Sequence, residues 1–265
     1  LIGDNLEPTV LDAEANANKE AATMIIKEVE DVRVANLTLT GGYSEGHGCT
    51  GGGGLLLAAN DMFNLETEDG TNIASTYPVI ENVIIENNHS HNGGGMAFFR
   101  VNGPILNNVI IRNNTATAFG GGVFSFVSTM TMTSVTITGN QNQGNGQGGG
   151  IMLANSRGTF DNMTITNNTA VGAHGGGIWT NNSGGPDSYG GWTMTNSTIS
   201  GNASEMFAGG IMCAWSHPTL INCTISGNTA WWGGGGIFGL EGGFTLKESI
   251  VSNNFSFGSG GGINA

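Results

Sequence analysis

A repeated segment of about 26 residues is the feature of this sequence that most restricts its fold. Seven segments share a template in which an aliphatic residue precedes a turn and a glycine run leads to a second aliphatic residue. An earlier, looser copy is LTLTGGYSEGHGCTGGGGLLL. The second turn residue is Asn88, Asn114, Asn140, Asn168, Asn202, Asn228 and Asn254, with successive spacings of 26, 26, 28, 34, 26 and 26. Repeats of this length are typical of solenoids, in which each copy forms one coil.

Each copy contributes apolar residues to three ranks, and each rank lies in a short stretch with period-two alternation. The first is Leu39, Ile85, Ile111, Ile137, Ile165, Ile199, Ile225 and Val251; the second is Leu55, Met96, Val123, Ile151, Ile178, Ile211, Ile237 and Ile263; the third is Val34, Ile80, Leu106, Met132, Phe160, Met194, Leu220 and Leu246. This pattern predicts three short strands per coil that face one interior. Stacked coils would place equivalent residues ~4.8 Å apart in a parallel β-solenoid.

The turn after the first rank has a strict composition. Its first residue is only Asn or Gly, the residues that adopt left-handed backbone conformations most easily: Gly41, Asn87, Asn113, Gly139, Asn167, Gly201, Gly227 and Asn253. Its second residue is almost always Asn. We expect these second residues to point inward and to bond backbone groups of their own and adjacent coils, forming an asparagine ladder.

The template, as in ISGNTA…GGGGIF, resembles the polymorphic-outer-membrane-protein-like repeats of secreted and surface-displayed bacterial proteins. The resemblance covers about residues 34–265, and the opening PTVLDA…VANLTLTGG is similar to the first coils of such domains. It implies a right-handed parallel β-helix and an extracellular or cell-surface location. The family includes adhesins and surface-layer-like proteins, and it carries no catalytic motif that transfers to particular residues of this chain.

We therefore predict an all-β, right-handed parallel β-helix of about nine coils, with three short strands in each coil of roughly 26 residues. Residues 1–33 form the opening coil and residues 34–265 the repeats, with insertions at 58–77 and 181–191. We expect the chain to be a portion of a longer protein. The last copy ends at GGGINA with open strand edges, so further coils or another subunit are expected to cover that end.

Charge and cysteine content narrow the partners. Seven Lys plus Arg against twenty Asp plus Glu give a formal net charge of −13, which argues against nucleic acid and anionic lipid as partners. No apolar run approaches the ~20 residues of a membrane-spanning helix. Cys49, Cys213 and Cys223 show no paired C-x-x-C spacing, so buried free thiols are expected rather than a zinc site or a disulfide framework.

Two segments raise the question of a metal, and no other cofactor is expected. The insertion at 58–77 carries Asp61, Glu66, Glu68 and Asp69. Oxygen ligands suit Ca²⁺, but the spacing matches no EF-hand, so the alternatives are a solvated acidic loop and a calcium site. His89 and His91 form an H-x-H pair, with exposed histidines as the simpler interpretation.

Two outward ranks are candidates for binding. Thr38/Thr40, Thr136/Thr138, Thr164/Thr166, Thr198/Ser200 and Thr224/Ser226 form a T-x-T pattern, as on ice-binding solenoids, interrupted by Ile84/Glu86 and Ile110/Arg112. The other outward rank directly follows the aliphatic row that runs from Leu55 to Ile263. It is the predicted interaction surface: Phe124, Met152, Trp179, Met212 and Phe238. Strict alternation would turn these side chains outward as an apolar stripe for a protein or glycan partner, whereas a bend at the glycine run would turn them partly inward.

The sequence favours a non-catalytic structural or adhesive module that acts as a rigid rod. One alternative is a polysaccharide lyase or glycan-binding β-helix, which would bring the carboxylates of loop 58–77 near Arg33 or Arg100; the other is an ice-binding solenoid. Arg112 aligns with Glu86 one coil earlier, and we expect a surface ion pair there rather than a catalytic base.

Overall fold

The computed structural model describes residues 9–16, 18–27, 32–45, 51–58, 74–75, 77–181 and 191–265. All secondary-structure elements in these residues are β-strands. The strands are β1 (Thr9–Asp12), β2 (Met24–Lys27), β3 (Arg33–Thr40), β4 (Tyr43–Ser44), β5 (Leu55–Ala58), β6 (Ala74–Ser75), β7 (Val79–Glu86), β8 (His89–Asn92), β9 (Met96–Phe99), β10 (Val101–Asn107), β11 (Ile110–Arg112), β12 (Thr115–Phe119), β13 (Val123–Phe126), β14 (Thr129–Thr133), β15 (Thr136–Thr138), β16 (Gln141–Asn142), β17 (Ile151–Ala154), β18 (Arg157–Asp161), β19 (Thr164–Thr166), β20 (Thr169–Ala170), β21 (Ile178–Asn181), β22 (Thr193–Thr195), β23 (Thr198–Ser200), β24 (Ala203–Ser204), β25 (Ile211–Ala214), β26 (Thr219–Ile221), β27 (Thr224–Ser226), β28 (Thr229–Ala230), β29 (Ile237–Leu240), β30 (Thr245–Lys247), β31 (Ile250–Ser252), β32 (Phe255–Ser256) and β33 (Ile263–Asn264).

The strands form three parallel sheets that run along the solenoid. The first has 16 strands in two rows joined at β7, one ending at β30 and the other at β31. The second sheet has eight strands from β4 to β32, and the third has nine from β2 to β33. These counts give about eight turns, close to the predicted nine. The prediction of an all-β parallel solenoid with three strands per coil is confirmed.

The interior is built from the three predicted apolar ranks, and each rank is in register from coil to coil. Ile111 pairs with Ile137, Leu106 with Met132, and Val123 with Ile151. The first rank is fully buried from Leu39 to Ile225. The three ranks together form one continuous core along the solenoid. Burying one such side chain stabilises the fold by about 1.5–3 kcal/mol.

Left-handed backbone conformations turn the chain at its corners. The predicted Asn/Gly positions all have positive φ, for example 55° at Asn167 and 64° at Gly139. A second corner lies five residues earlier and is often Asn, as at Asn162 with φ 53°. A third left-handed corner lies at or near the start of the glycine run. The residue after the third-sheet strand is a fourth corner, as at Trp215 with φ 48°. The coil is thus bent four times, although only the third bend consistently falls on Gly or Ala.

A column of buried asparagines joins the coils through side-chain amides. The backbone N–H and the Nδ2 of Asn140 both donate to Oδ1 of Asn168 at 3.0 Å. The same Nδ2 also donates to the carbonyl oxygen of Ile111 at 2.9 Å. Backbone bonds of this kind link every successive member from Asn88 to Asn254. Each amide satisfies backbone groups that the turn leaves without a strand partner.

Replacing Asn168 by Ala should lower the free energy of unfolding by about 2–4 kcal/mol, because it leaves the N–H of Asn140 without its acceptor in a buried site. Urea unfolding followed by circular dichroism measures the change. Asn167→Gly is the matched control: Gly already occupies that position at Gly139 and Gly201, so its effect should stay within about 0.5 kcal/mol. Equal effects of the two substitutions would contradict the role of the column.

The last glycine of each run lies against the next coil. A Cβ atom added at Gly177 would lie 2.6 Å from the carbonyl oxygen of Gly210, whereas one added at the equivalent Gly262 meets nothing closer than 3.9 Å. Gly177→Ala should therefore destabilise the protein by about 2 kcal/mol, and Gly262→Ala by less than about 0.5 kcal/mol. Thermal and urea unfolding of the pair test this; a Gly177→Ala protein as stable as Gly262→Ala would show that contact between coils is looser than described.

Candidate functional site

The predicted interaction residues lie in one register on the third sheet. Phe124 pairs with Met152, Met152 with Trp179, Trp179 with Met212 and Met212 with Phe238. They form a second hydrophobic cluster, separate from the main core. Phe124, Met152, Trp179 and Met212 are at most 9% exposed, and Phe238 is partly buried. The structure thus places these side chains at the floor of a groove rather than on an exposed stripe, and we call them the floor rank.

Two further ranks form the sides of this groove. The turn wall consists of the residue that precedes the third left-handed corner of each coil from Gly93 onward, and backbone hydrogen bonds connect it from coil to coil: Asn92, Phe119, Gln147, His174, Phe207, Gly233 and Ser259. The strand wall is the last residue of each third-sheet strand from β9 to β29, also in register: Phe99, Phe126, Ala154, Asn181, Ala214 and Leu240. The groove runs parallel to the solenoid axis, across the strands.

Two recesses lie one after the other in the groove. The larger has a volume of about 380 Å³, and the smaller one of about 240 Å³. The larger is lined by Gln147, His174, Trp179, Phe207, Met212, Ala214, Trp215, Phe238 and Leu240. The smaller is lined by Asn92, Phe99, Phe119, Phe124, Phe126, Met152 and Ala154. Their floors meet where Met152 pairs with Trp179, so both belong to one groove.

Aromatic rings pack closely around the larger recess. The ring of His174 stacks on that of Phe207, with centroids 5.5 Å apart and planes 9° from parallel. Phe207 also contacts Phe238 at 4.5 Å, and the edge of Trp232 at 5.5 Å. Such contacts each contribute about 0.5–1.5 kcal/mol beyond burial, so the wall is held in place without a ligand.

His174 is the titratable group of the larger recess. Its Nδ1 accepts a hydrogen bond from the backbone N–H of Phe207 at 3.2 Å, which assigns the proton of the neutral ring to Nε2. Burial lowers the pKa of His174 because the cationic form loses hydration. Among the described residues, Nε2 has no hydrogen-bond partner. The recess therefore holds a neutral imidazole with one N–H still to donate.

Polar groups also lie at the rim and in the smaller recess. Trp215 is 37% exposed, and its indole Nε1 donates to Oε2 of Glu241 at 2.9 Å. In the smaller recess, Asn92 is 7% exposed, and its Oδ1 is buried without a partner among the described residues. An unpaired buried acceptor is costly, and this oxygen is not exposed at the groove surface.

The other predicted sites are the acidic insertion and the H-x-H pair. Asp61, Glu66, Glu68 and Asp69 fall outside the described residues, as do Cys49 and most of the insertion at 181–191. His89 lies on strand β8, with Nε2 2.5 Å from Oε1 of Glu45, and stacks on Tyr43 at 4.5 Å. His91 contacts Thr117. Within the part of the chain that the structure describes, no three His, Cys, Asp or Glu residues are arranged to hold a metal ion.

The other residue predictions can be compared directly with the structure. The expected ion pair is confirmed, with Arg112 Nε 2.6 Å from Oε2 of Glu86. Arg33 pairs with Glu81. Cys213 and Cys223 are free and buried, and burial raises the pKa of Cys213 to about 12.

The threonine ranks are in register, as in the pairs Thr164 with Thr198 and Thr198 with Thr224. From β15 onward they lie on three-residue strands, with left-handed corners on both sides, as at Asn162 and Asn167 around β19. The T-x-T face is therefore one pair of residues wide.

Sequence reasoning did not identify Trp215, nor the turn wall as a continuous rank. The wall residues vary in type, so no composition rule singles them out, although each stands directly before the third left-handed corner, which is Gly or Ala. Trp215 occupies a left-handed corner that Asn155 fills in an earlier coil, and a bulky residue there departs from ordinary preference. A signal for the second corner was present: Asn82, Asn108, Asn162, Asn196 and Asn222 each lie five residues before a predicted turn.

Comparison with known proteins agrees with this geometry. A family model described as "Right handed beta helix region" matches residues 126–265, which is more than half of the chain. The chain belongs to the right-handed β-helix family. No match was found among curated proteins or among solved structures. Membership of the right-handed β-helix family establishes the fold, whereas function has to be argued from the groove.

The groove histidine predicts a pH dependence. The folded pKa of His174 lies below the ordinary value of 6.5, so the unfolded chain binds its proton more readily. The stability that comes from keeping His174 neutral is fully present above pH 6.5, and it is lost as the pH falls from there through the lower folded pKa. Urea midpoints at pH 7.5 and 5.5 should therefore differ more in the wild type than in His174→Phe. An identical pH dependence of the two proteins would contradict a depressed pKa.

Proposed function

We propose that this β-helix is a non-catalytic structural or adhesive module of a secreted or cell-surface bacterial protein. It acts as a rigid rod that presents the lateral groove to a partner. The observation that carries the proposal is the groove itself: an apolar floor, with walls fixed by the same coil-to-coil register that builds the core.

Rigidity follows from the way the coils are joined. Each coil shares backbone ladders in three sheets with the next, and the asparagine column adds side-chain bonds inside the turns. Such an array bends or extends only if several of these bonds break together. A surface carried on this scaffold keeps its shape under load, which an adhesive or spacer role requires.

The location outside the cell is supported by composition and by the repeat. Only 10% of residues are charged, the net charge is −13, and Asn, Thr and Gly are abundant. In the described residues no helix is long and apolar enough to cross a membrane. The similarity to repeats of surface-displayed bacterial proteins favours the same setting for this chain.

Adhesion can be tested with beads that carry the purified protein. They are washed over surfaces coated with collagen, mucin or serum albumin, and retention under flow is counted. We expect retention on collagen or mucin to exceed the albumin background, and Trp215→Asn to reduce it, because Trp215 lines the larger recess. Asn suits the left-handed corner and already occupies the equivalent position at Asn155.

Trp231→Thr is the matched control for this assay. Trp231 is 55% exposed and its ring contacts Phe257 rather than the groove. Retention should therefore match the wild type. Retention no better than on albumin, or equal loss in both variants, would contradict a groove-dependent adhesive role.

A further inference from the structure

We propose that the larger recess binds an uncharged pyranose ring of an oligosaccharide that lies along the groove. This inference rests on the proposed function, because it names the class of ligand for the same groove. The occupant is an unmodified neutral glycan chain, as distinct from a uronate polymer, a sulfated glycan or a peptide.

The shape and surface of the recess suit one sugar ring. A pyranose has two faces of C–H groups and a rim of hydroxyl groups. The floor supplies Trp179, Met212 and Phe238, while Phe207 and Trp215 stand at the sides. Aromatic rings attract C–H groups through their negative faces, so a flat ring with an apolar face packs well there. The sulfur side chain of Met212 adapts to small differences in ring shape.

Hydrogen-bond groups stand where hydroxyl groups would lie. The free Nε2–H of His174 is a donor in the larger recess. Gln147 is beside it, with Oε1 accepting from the backbone N–H of His174 at 3.2 Å and its amide N–H groups available. A few polar groups set in an apolar site are the usual arrangement of small-ligand pockets.

Charge excludes anionic glycans. Among the described residues that line either recess there is no Lys or Arg, and His174 is neutral at pH 7. Glu241 lies at the rim, and the whole chain carries a net charge of −13. A carboxylate or sulfate in this recess would lose hydration and gain no cationic partner, which is strongly unfavourable.

The direction of the strands excludes an extended peptide. Peptides that add to a sheet pair with a free strand edge, and in the described part of the chain the third sheet has such edges only at β2 and β33, its two ends. Along the groove, the strands cross the axis and are paired on both sides. Peptide N–H and C=O groups laid on this apolar floor would remain unpaired, at a cost of about 1–3 kcal/mol each. Hydroxyl groups on a sugar rim can instead stay in water.

The two recesses predict a preference for chains over single sugars. Phe124 and Phe238 are four register steps apart, which corresponds to ~19 Å along the axis. A chain of several rings reaches both recesses, whereas a monosaccharide fills only one. Once one ring is bound, the next ring of the same chain is held close to the second recess, so a chain binds more tightly than separate sugars.

Isothermal titration calorimetry with defined hexasaccharides tests the proposal. The neutral probes are cellohexaose, mannohexaose and chitohexaose; the acidic probe is hexagalacturonate; the peptide probe is an uncharged valine-rich hexapeptide. We expect at least one neutral hexasaccharide to bind more tightly than its monosaccharide, and the two other probes not to bind. Trp215→Asn should weaken binding about threefold to tenfold, the size of one aromatic contact. His174→Phe, which keeps a ring but removes the N–H, should also weaken it.

Trp231→Thr should bind as the wild type does, and circular dichroism of every variant checks that the fold is intact. The inference is overturned if no neutral hexasaccharide binds at millimolar concentration, if hexagalacturonate or the peptide binds as tightly, or if Trp215→Asn has no effect. Beads that still adhere to collagen in a Trp215-dependent way would then leave the adhesive role standing with a protein partner. Beads that adhere to no surface would remove the adhesive role itself.

Discussion

Parallel hydrogen bonding from coil to coil is the constraint on which the rest of this molecule depends. Each position lies above its own copy at ~4.8 Å, so a residue type is tolerated only if it can stack on itself or on its replacement. Aliphatic side chains, hydroxyls and amides meet this condition, whereas like charges repel each other. This accounts for a charged content of only 10%. Where charges do stack, as with Arg112 over Glu86, they have opposite signs.

The same constraint explains how a groove arises on a solenoid. The three sheets use their inward side chains for the core, and the left-handed corners fix where the chain changes direction. Residues just before the glycine run and at the end of the third-sheet strand lie outside that core. They are free to carry bulky side chains such as Phe207 and Leu240, and the rank between them is thereby covered at its sides.

The sequence was sufficient to predict the ladders but not the groove. Ile111, Ile137 and the turn residue Asn113 follow from periodicity and from backbone preference, which act locally and repeat in every copy. The burial of Trp179 depends on the size of His174 in its own coil and of Phe207 in the next coil, and local backbone and periodicity rules do not include such contacts. Trp215 shows the opposite case, since a left-handed conformation at tryptophan is imposed by its neighbours against its own preference.

The turn wall determines how the groove can change by mutation or by duplication of coils. It contains one residue per coil, and Phe119, Gln147, His174, Phe207 and Gly233 show that polar, aromatic and absent side chains all fit the same backbone. Each coil therefore contributes one wall side chain, and wall side chains of successive coils contact each other, as His174 contacts Phe207. A substitution there changes one step of the groove without altering the corners or the core. Duplication of a coil lengthens the groove by one fixed step of ~4.8 Å.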